Sequence, residues 1–302
     1  MAQKRLSIYS ALLANLLIAA TKFVAGGFTN SSSMMSEGIH SLVDTTNEVL
    51  LLYGIRKSKK PPDKRRPFGY GKELYFWSFI VSILIFGLGG GLSVYQGVVH
   101  ILHAEPLGDP TWNYVVLGFS FAFDGTSFVI AVIEFNAVRG NLSFWNAIVK
   151  SKDPSTFLVL LEDAADVLGL VIVFALLLCS QAFNLPVLDG VASVLVGTML
   201  VAVSLLLARE SRSLLMGEGI AYETQQQIVA LAERDAAVAK VTNVLSTYQS
   251  PEEIVLMLIV AFKDDLSTAD ITDAIERIRR RIKEKFGLVR FVIVQPQAVG
   301  SA

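Results

Sequence analysis

His40 and Asp44 stand four residues apart in one apolar stretch, and Glu162 and Asp166 stand four apart in another, with Asp163 beside them. In a helix that spacing places each pair on one face, a turn apart. Two helices can thus aim an imidazole and a set of carboxylates at one point. Such a donor set suits Zn²⁺ in tetrahedral geometry and, having only one nitrogen, also tolerates harder ions such as Mn²⁺ or Fe²⁺. Ionisable groups within a membrane helix cost on the order of 2.5–3.5 kcal/mol each on insertion scales. Four of them amount to about 10 kcal/mol, which a bound cation or shared protons would offset. Singly, any of these groups could do no more than hold helices together. Two such pairs in two stretches argue for a site.

The elements that position these groups are membrane helices. The chain has 302 residues, 53% of them hydrophobic and 18% charged, with a mean hydropathy of +0.53, too apolar for an ordinary soluble domain. Six stretches reach the roughly 20 apolar residues that cross a bilayer, at about 7–27, 33–56, 76–101, 111–136, 155–181 and 186–208. The loop after the second carries Arg56, Lys57, Lys59, Lys60, Lys64, Arg65, Arg66 and Lys72. Arg139, Lys150 and Lys152 follow the fourth stretch, Lys4 and Arg5 precede the first, and Arg209 and Arg212 end the sixth. The intervening loops hold neither Lys nor Arg, so both termini are expected on the cytoplasmic side. The basic start, MAQKRLS, runs into an apolar segment without a small-residue cleavage site and reads as the first span. The lack of an Arg/Ser-rich leader favours a bacterial inner membrane over a mitochondrial one.

From about residue 216 the pattern changes to that of a small soluble domain: helix, strand, strand, helix, strand. The expected fold is an all-α six-helix transmembrane bundle, residues 1–215, followed by a cytoplasmic αββαβ, ferredoxin-like domain, residues 216–302. A domain of that size has a thin core and would gain from dimerisation. Cys179, the single cysteine, excludes an internal disulfide or a thiolate zinc cluster. The net charge of −1 and the Glu276 and Glu284 that interleave with Arg277, Arg279, Arg280 and Arg281 argue against nucleic acid and for a solvated or lipid-facing helix surface. HExxH helices, GxSxG elbows and phosphate-cradling loops are absent from the sequence, which argues against an enzyme.

SEGIHSLVD in the second stretch, RPFGYGKELYFWS opening the third, and LDGVASVLVG with LLARESRSLLMGEG around the sixth resemble the cation diffusion facilitator family over essentially the whole chain. The resemblance implies a transport site with two ligands from each of the second and fifth spans, here His40, Asp44, Glu162 and Asp166. The family commonly has His or Asp where this chain has Glu162. The Glu162-Asp163 pair resembles the branch related to the ninth human zinc transporter and leaves two candidates for the inward carboxylate. The family's loop site would fall on Arg66 and Tyr70, and Arg66 cannot ligate a cation. No histidine lies beyond His103, so the tail, whose Asp264, Asp265, Asp270 and Asp273 read as a solvated face, is expected to form a homodimer without bound metal. Lys72 is expected to pair with Glu218 or Glu223.

Metal ligands must lose protons to bind, and the imidazole of His40 titrates in the physiological range. The implied function is export of Zn²⁺, or of Mn²⁺, Fe²⁺ or Co²⁺, from the cytoplasm in exchange for protons by alternating access. A metal-sensing membrane scaffold that binds without moving metal is the alternative. His100 and His103, near Glu105 and Asp109, suggest a weak exit site, although an interfacial polar pair is the simpler reading. Asp124 reads as a proton-relay group or a helix link, Lys22 as a snorkelling lysine, and the Gly87, Gly89, Gly90, Gly91 run as a packing surface that could also serve a dimer contact.

Overall fold

The computed structural model describes residues 2–104, 109, 111–140, 143, 144, 147 and 152–297. Six long helices come first: α1 (Ala2–Thr29), α2 (Ser32–Ser58), α3 (Glu73–Leu102), α4 (Thr111–Arg139), α5 (Pro154–Phe183) and α6 (Val187–Met216). They are followed by α7 (Tyr222–Ala232), β1 (Val238–Ser250), β2 (Glu253–Phe262), α8 (Thr268–Lys285) and β3 (Val289–Gln297). The chain packs as two compact units, residues 1–56 with 76–212 and residues 57–75 with 213–302. Glu105 and Lys150 lie outside the described residues.

Each of the six apolar stretches lies on one of the long helices. Among the described residues four helices, α3 to α6, are long and apolar enough to cross a membrane. The shortfall has a physical reason at α2, where Glu37, His40, Asp44 and Glu48 fall within three turns and Ser32, Ser33, Ser36, Ser41 and Asn47 dilute the rest. The outer faces of the apolar helices are themselves apolar: Phe119 and Ile133 on α4 and Leu168 on α5 are more than half exposed. An unpartnered surface of that kind suits lipid, and the protein is an integral membrane protein.

Close helix approach depends on glycine where α3 meets α6. A Cβ on Gly97 would lie 2.6 Å from the Gly190 carbonyl oxygen, and one on Gly90 would lie 2.9 Å from that of Gly197. Side chains are therefore excluded on both helices, as in close-packed membrane pairs. The sequence run divides accordingly. Gly89 and Gly90 are buried against α6, whereas Gly87 has nothing within 4 Å of an added Cβ. This stretch, Ile85–Gly91, is a π-helical segment. Gly97→Val is expected to destabilise the bundle by about 1–3 kcal/mol through overpacking, whereas Gly87→Ala should melt like the wild type. Thermal unfolding in detergent compares the two.

In the second unit the sheet runs β1-β2-β3, with β1 antiparallel and β3 parallel to β2. The parallel pair needs a crossover, which α8 supplies. In β2 every second residue, Ile254, Leu256, Leu258 and Val260, is buried, the period of a half-covered strand. Its covering helices bury Ile228 and Ala232 from α7, and Ala274, Ile278 and Ile282 from α8, each set at a one-turn repeat. Strand β1 instead buries Val238, Val241 and Val244, every third residue, because its register against β2 slips between Val238 and Lys240 and again between Val241 and Asn243. These bulges break the alternation that marks a regular strand. Helix α8 starts on a capping box in which Ser267 and Asp270 exchange side-chain and backbone bonds. That gives Asp270 a structural task; Asp264, Asp265 and Asp273 are exposed.

The basic run on α8 is only partly a solvated face. Arg277 donates to both oxygens of Asp235, at 2.9 Å each, and Arg281 lies 3.5 Å from the same carboxylate. The hydrogen bonds from Arg277, aided by the backbone N–H of Ala237 and the two guanidinium charges, hold the Asp235 carboxyl below the usual carboxylate range. A carboxyl depressed in the folded state stabilises above its unfolded range near pH 4 and ceases to do so as pH falls through its lower folded value. Loss of stability on acidification below pH 4 should therefore be shallower in Asp235→Asn than in the wild type, as read from melts of the full chain across pH.

Candidate metal centre

The His40 ring is buried, at 2% exposure, and is flanked by carboxylates on both sides. Its Nδ1 lies 3.4 Å from Asp44 Oδ1, one turn on along α2, and its Nε2 meets Asp166 Oδ1 from α5. All four of these atoms are buried, and beyond these facing contacts none has a hydrogen-bond partner. Buried polar atoms ordinarily find partners, and four that converge on one another with no other partner form a donor set that could hold a cation. Among the described residues, His40, Asp44 and Asp166 form the one group of three or more such side chains whose ligand atoms lie within 4.8 Å of one another.

Glu162 and Asp163 face different ways. Glu162 Oε1 accepts a 2.7 Å bond from Asn47 Nδ2 on α2, so it is turned toward the helix that carries His40 and Asp44. Asp163 accepts from Ser127 Oγ on α4 at 2.8 Å. Adjacent helical residues point about 100° apart, and each has found a different neighbour. Glu162 stands outside the tight His40 group but lines the same cavity of about 150 Å³ as Asp44, Asn47, Asp163 and Asp166.

Asn47, Glu37 and Lys22 were not singled out as parts of the site from the sequence. Asn47 lies three residues beyond Asp44 and seven beyond His40, so the helical repeat that links the ligands also reaches it. Glu37 completes the same face from the other side, being three residues before His40. Lys22 does not snorkel: it is 1% exposed, with Nζ 3.1 Å from Glu37 Oε2, 2.8 Å from Ser41 Oγ and 3.8 Å from Asp124 Oδ2. Asp124 is therefore an ion-pair partner across helices.

The outer histidines are also accounted for in part. His100 Nε2 lies 3.8 Å from Asp189 Oδ2, and His100 and His103 border an open pocket of about 530 Å³. Asp109 accepts from the backbone N–H and the hydroxyl of Thr111 at the start of α4, bonds that hold its carboxyl below the usual range. Asp189, inside the LDG motif, is fully buried and binds the first turn of α2. At the loop positions, Arg66 Nη1 bonds Glu73 at 2.8 Å and Tyr70 donates its hydroxyl to Asp63 at 2.6 Å. An ionic cluster occupies that loop. Lys72 Nζ reaches the Leu215 carbonyl oxygen at 3.5 Å, and Glu218 accepts from Ser213 Oγ.

A bundle of apolar helices with buried, convergent imidazole and carboxylate atoms belongs to the class of membrane proteins that handle cations. Residues 8–216 match the family model described as the cation efflux transmembrane domain. The chain belongs to this family, the cation diffusion facilitators, which are transporters and not enzymes. It is similar to the human proton-coupled zinc antiporter SLC30A9, mitochondrial, with 39% identity over 228 residues, 75% of this chain and 40% of that protein. Metal tolerance protein C4 of Arabidopsis thaliana is 30% identical over 77% of this chain and 51% of its own length. The manganese efflux system protein MneP of Bacillus subtilis is 24% identical over 94% and 92%. The chain thus spans 40 to 51% of the length of the first two relatives.

Proposed function

We propose that the chain exports a divalent metal, Zn²⁺ by preference and Mn²⁺, Fe²⁺ or Co²⁺ within its chemical range, in exchange for protons. The observation that carries this reading is His40 held between Asp44 and Asp166, the facing atoms buried and with no other hydrogen-bond partner. Glu162, steered by Asn47, serves as the fourth ligand. A borderline ion accepts one imidazole and three carboxylates, and loading it onto a protonated site displaces the protons. Two relatives carry names that fit: one is called a proton-coupled zinc antiporter and another a manganese efflux protein. Alternating access follows from a single buried site that must open to each side in turn. The reading includes six spans, both termini in the cytoplasm on the strength of the Lys/Arg distribution, and a cytoplasmic region 216–302 that joins two copies.

The test is flux. Purified full chain in liposomes of acidic interior should accumulate Zn²⁺ while protons leave, and collapse of the pH gradient should stop it. Competition by Mn²⁺, Fe²⁺ and Co²⁺ ranks the substrates. Saturable metal binding with no movement of metal under any gradient would overturn transport in favour of a metal-sensing scaffold.

A further inference from the structure

Lys22 is the one buried lysine or arginine among the described residues. It stands on α1 against two carboxylates from two other helices, Glu37 on α2 and Asp124 on α4, and takes Ser41 as a third partner. Ser41 adjoins His40 in sequence, and both Ser41 and Asp124 line the cavity that holds Asp44, Glu162 and Asp166. Asp166 on α5 also acts on the ammonium electrostatically. An ammonium so placed is dry, and removing either side of a buried ion pair leaves an uncompensated charge. Lys22 is therefore expensive unless its charge is used.

We propose that Lys22 is the resident counter-cation of the metal cavity, a positioning residue that sets how much negative charge the cavity offers to an incoming ion. Its single positive charge offsets Glu37 and part of the charge of Asp124, so the divalent ion meets about one negative charge fewer than the acids around it would otherwise present. Six carboxylates border the cavity, from Asp44, Glu48, Asp124, Glu162, Asp163 and Asp166. A site that kept all of that charge would bind a divalent ion too tightly to release it. The internal lysine lowers affinity to a level compatible with turnover. The Oε1 of Glu37 is buried and without a hydrogen-bond partner, so Lys22, at Oε2, serves only one side of that carboxylate.

This inference rests on the metal-binding reading above. Its test is equilibrium binding of Zn²⁺ alone to the purified full chain in detergent, in weakly buffered solution so that released protons are counted. Lys22→Gln is expected to bind Zn²⁺ roughly tenfold more tightly or, where the freed carboxylate takes up a proton, to release more protons per ion. Glu37→Gln, which leaves surplus positive charge, is expected to bind more weakly by a similar factor. The double variant Lys22→Gln/Glu37→Gln restores the balance and should return toward the wild-type value. A purely structural lysine would weaken binding in all three. Lys22→Gln with wild-type or weaker affinity and wild-type proton release overturns the proposal, and so does unchanged affinity in Glu37→Gln, which still decides the matter if Lys22→Gln does not fold. A wild type that binds no Zn²⁺ defeats the metal reading and this inference with it; a wild type that binds while the variants fail to order by charge defeats this inference alone.

Discussion

Metal transport by His40→Ala and by Asp166→Asn should fall by about 100-fold or more, with the protein still folded. His40 is the single nitrogen donor in the group, and Asp166 is the carboxylate that links α5 to it. Loss of a group that only supports a ligand costs about 10- to 100-fold in metal affinity, and loss of the ligand itself should cost more. The same comparison ranks the neighbours. Glu162→Ala should fall nearly as far, because that side chain is turned toward α2, and Asn47→Ala should show the smaller loss of a supporting group. Asp163→Ala should retain most activity, because its bond is to Ser127 on another helix. Stability provides the control. A ligand present at 100 times its Kd stabilises the folded protein by about 2.7 kcal/mol, so Zn²⁺ should raise the melting temperature of the wild type and of Asp163→Ala but not of His40→Ala. Transport undiminished in His40→Ala would remove the site from the mechanism.

The reach and the limit of the sequence follow from what a helical repeat encodes. Spacing of three and four residues tells which side chains share a face, and so His40 with Asp44 and Glu162 with Asp166 are legible in the sequence alone. The order of elements in the tail was visible for the same reason, since the alternation in β2 and the one-turn repeat in α8 are local patterns. Which face meets which neighbour is not local. Nothing in the residues around Lys22 announces Glu37 and Asp124, and an isolated lysine near a helix end reads by default as one that reaches for water. The Glu162-Asp163 ambiguity has the same origin, because two adjacent acids differ only in the helix each one faces. The basic run on α8 looked like a surface because its partner, Asp235, lies some forty residues earlier, in the turn before β1. The glycine run was divided by the π-helical segment from Ile85 to Gly91, whose wider turn places Gly89 and Gly90 together against α6 in a way that a 3.6-residue repeat does not anticipate.

Asp189 is where stability should prove most sensitive, and its role follows from an elementary requirement of helices. The first N–H groups of a helix have no partner within it. At α2 that end is buried: Ser31, Ser32 and Ser33 are each less than a tenth exposed. Asp189, from the first turn of α6, supplies what is missing. One oxygen accepts the backbone N–H groups of Ser32 and Ser33, at 2.5 and 3.2 Å, and the other accepts the hydroxyls of Ser31 and Ser33. A carboxylate at a helix N-terminus also faces the positive end of the helix dipole. Asp189→Ala removes the acceptor of two amides and two hydroxyls in a buried turn, and it should cost about 3–5 kcal/mol. For a chain of 302 residues that corresponds to a fall of roughly 5–8 °C in melting temperature, read by thermal unfolding in detergent. Asp189→Asn should lose about half as much, since its carbonyl oxygen can still accept the two amides while the serine hydroxyls turn to accept from its NH₂ group. Function should follow stability here, because the capped turn lies two turns from His40 on the same helix. If Asp189→Ala melts within about 2 °C of the wild type, water replaces the cap and α2 is held by its side-chain packing alone; if it melts far below while Asp189→Asn falls about half as far, the bonds to the first turn of α2 are what anchor that end of the helix.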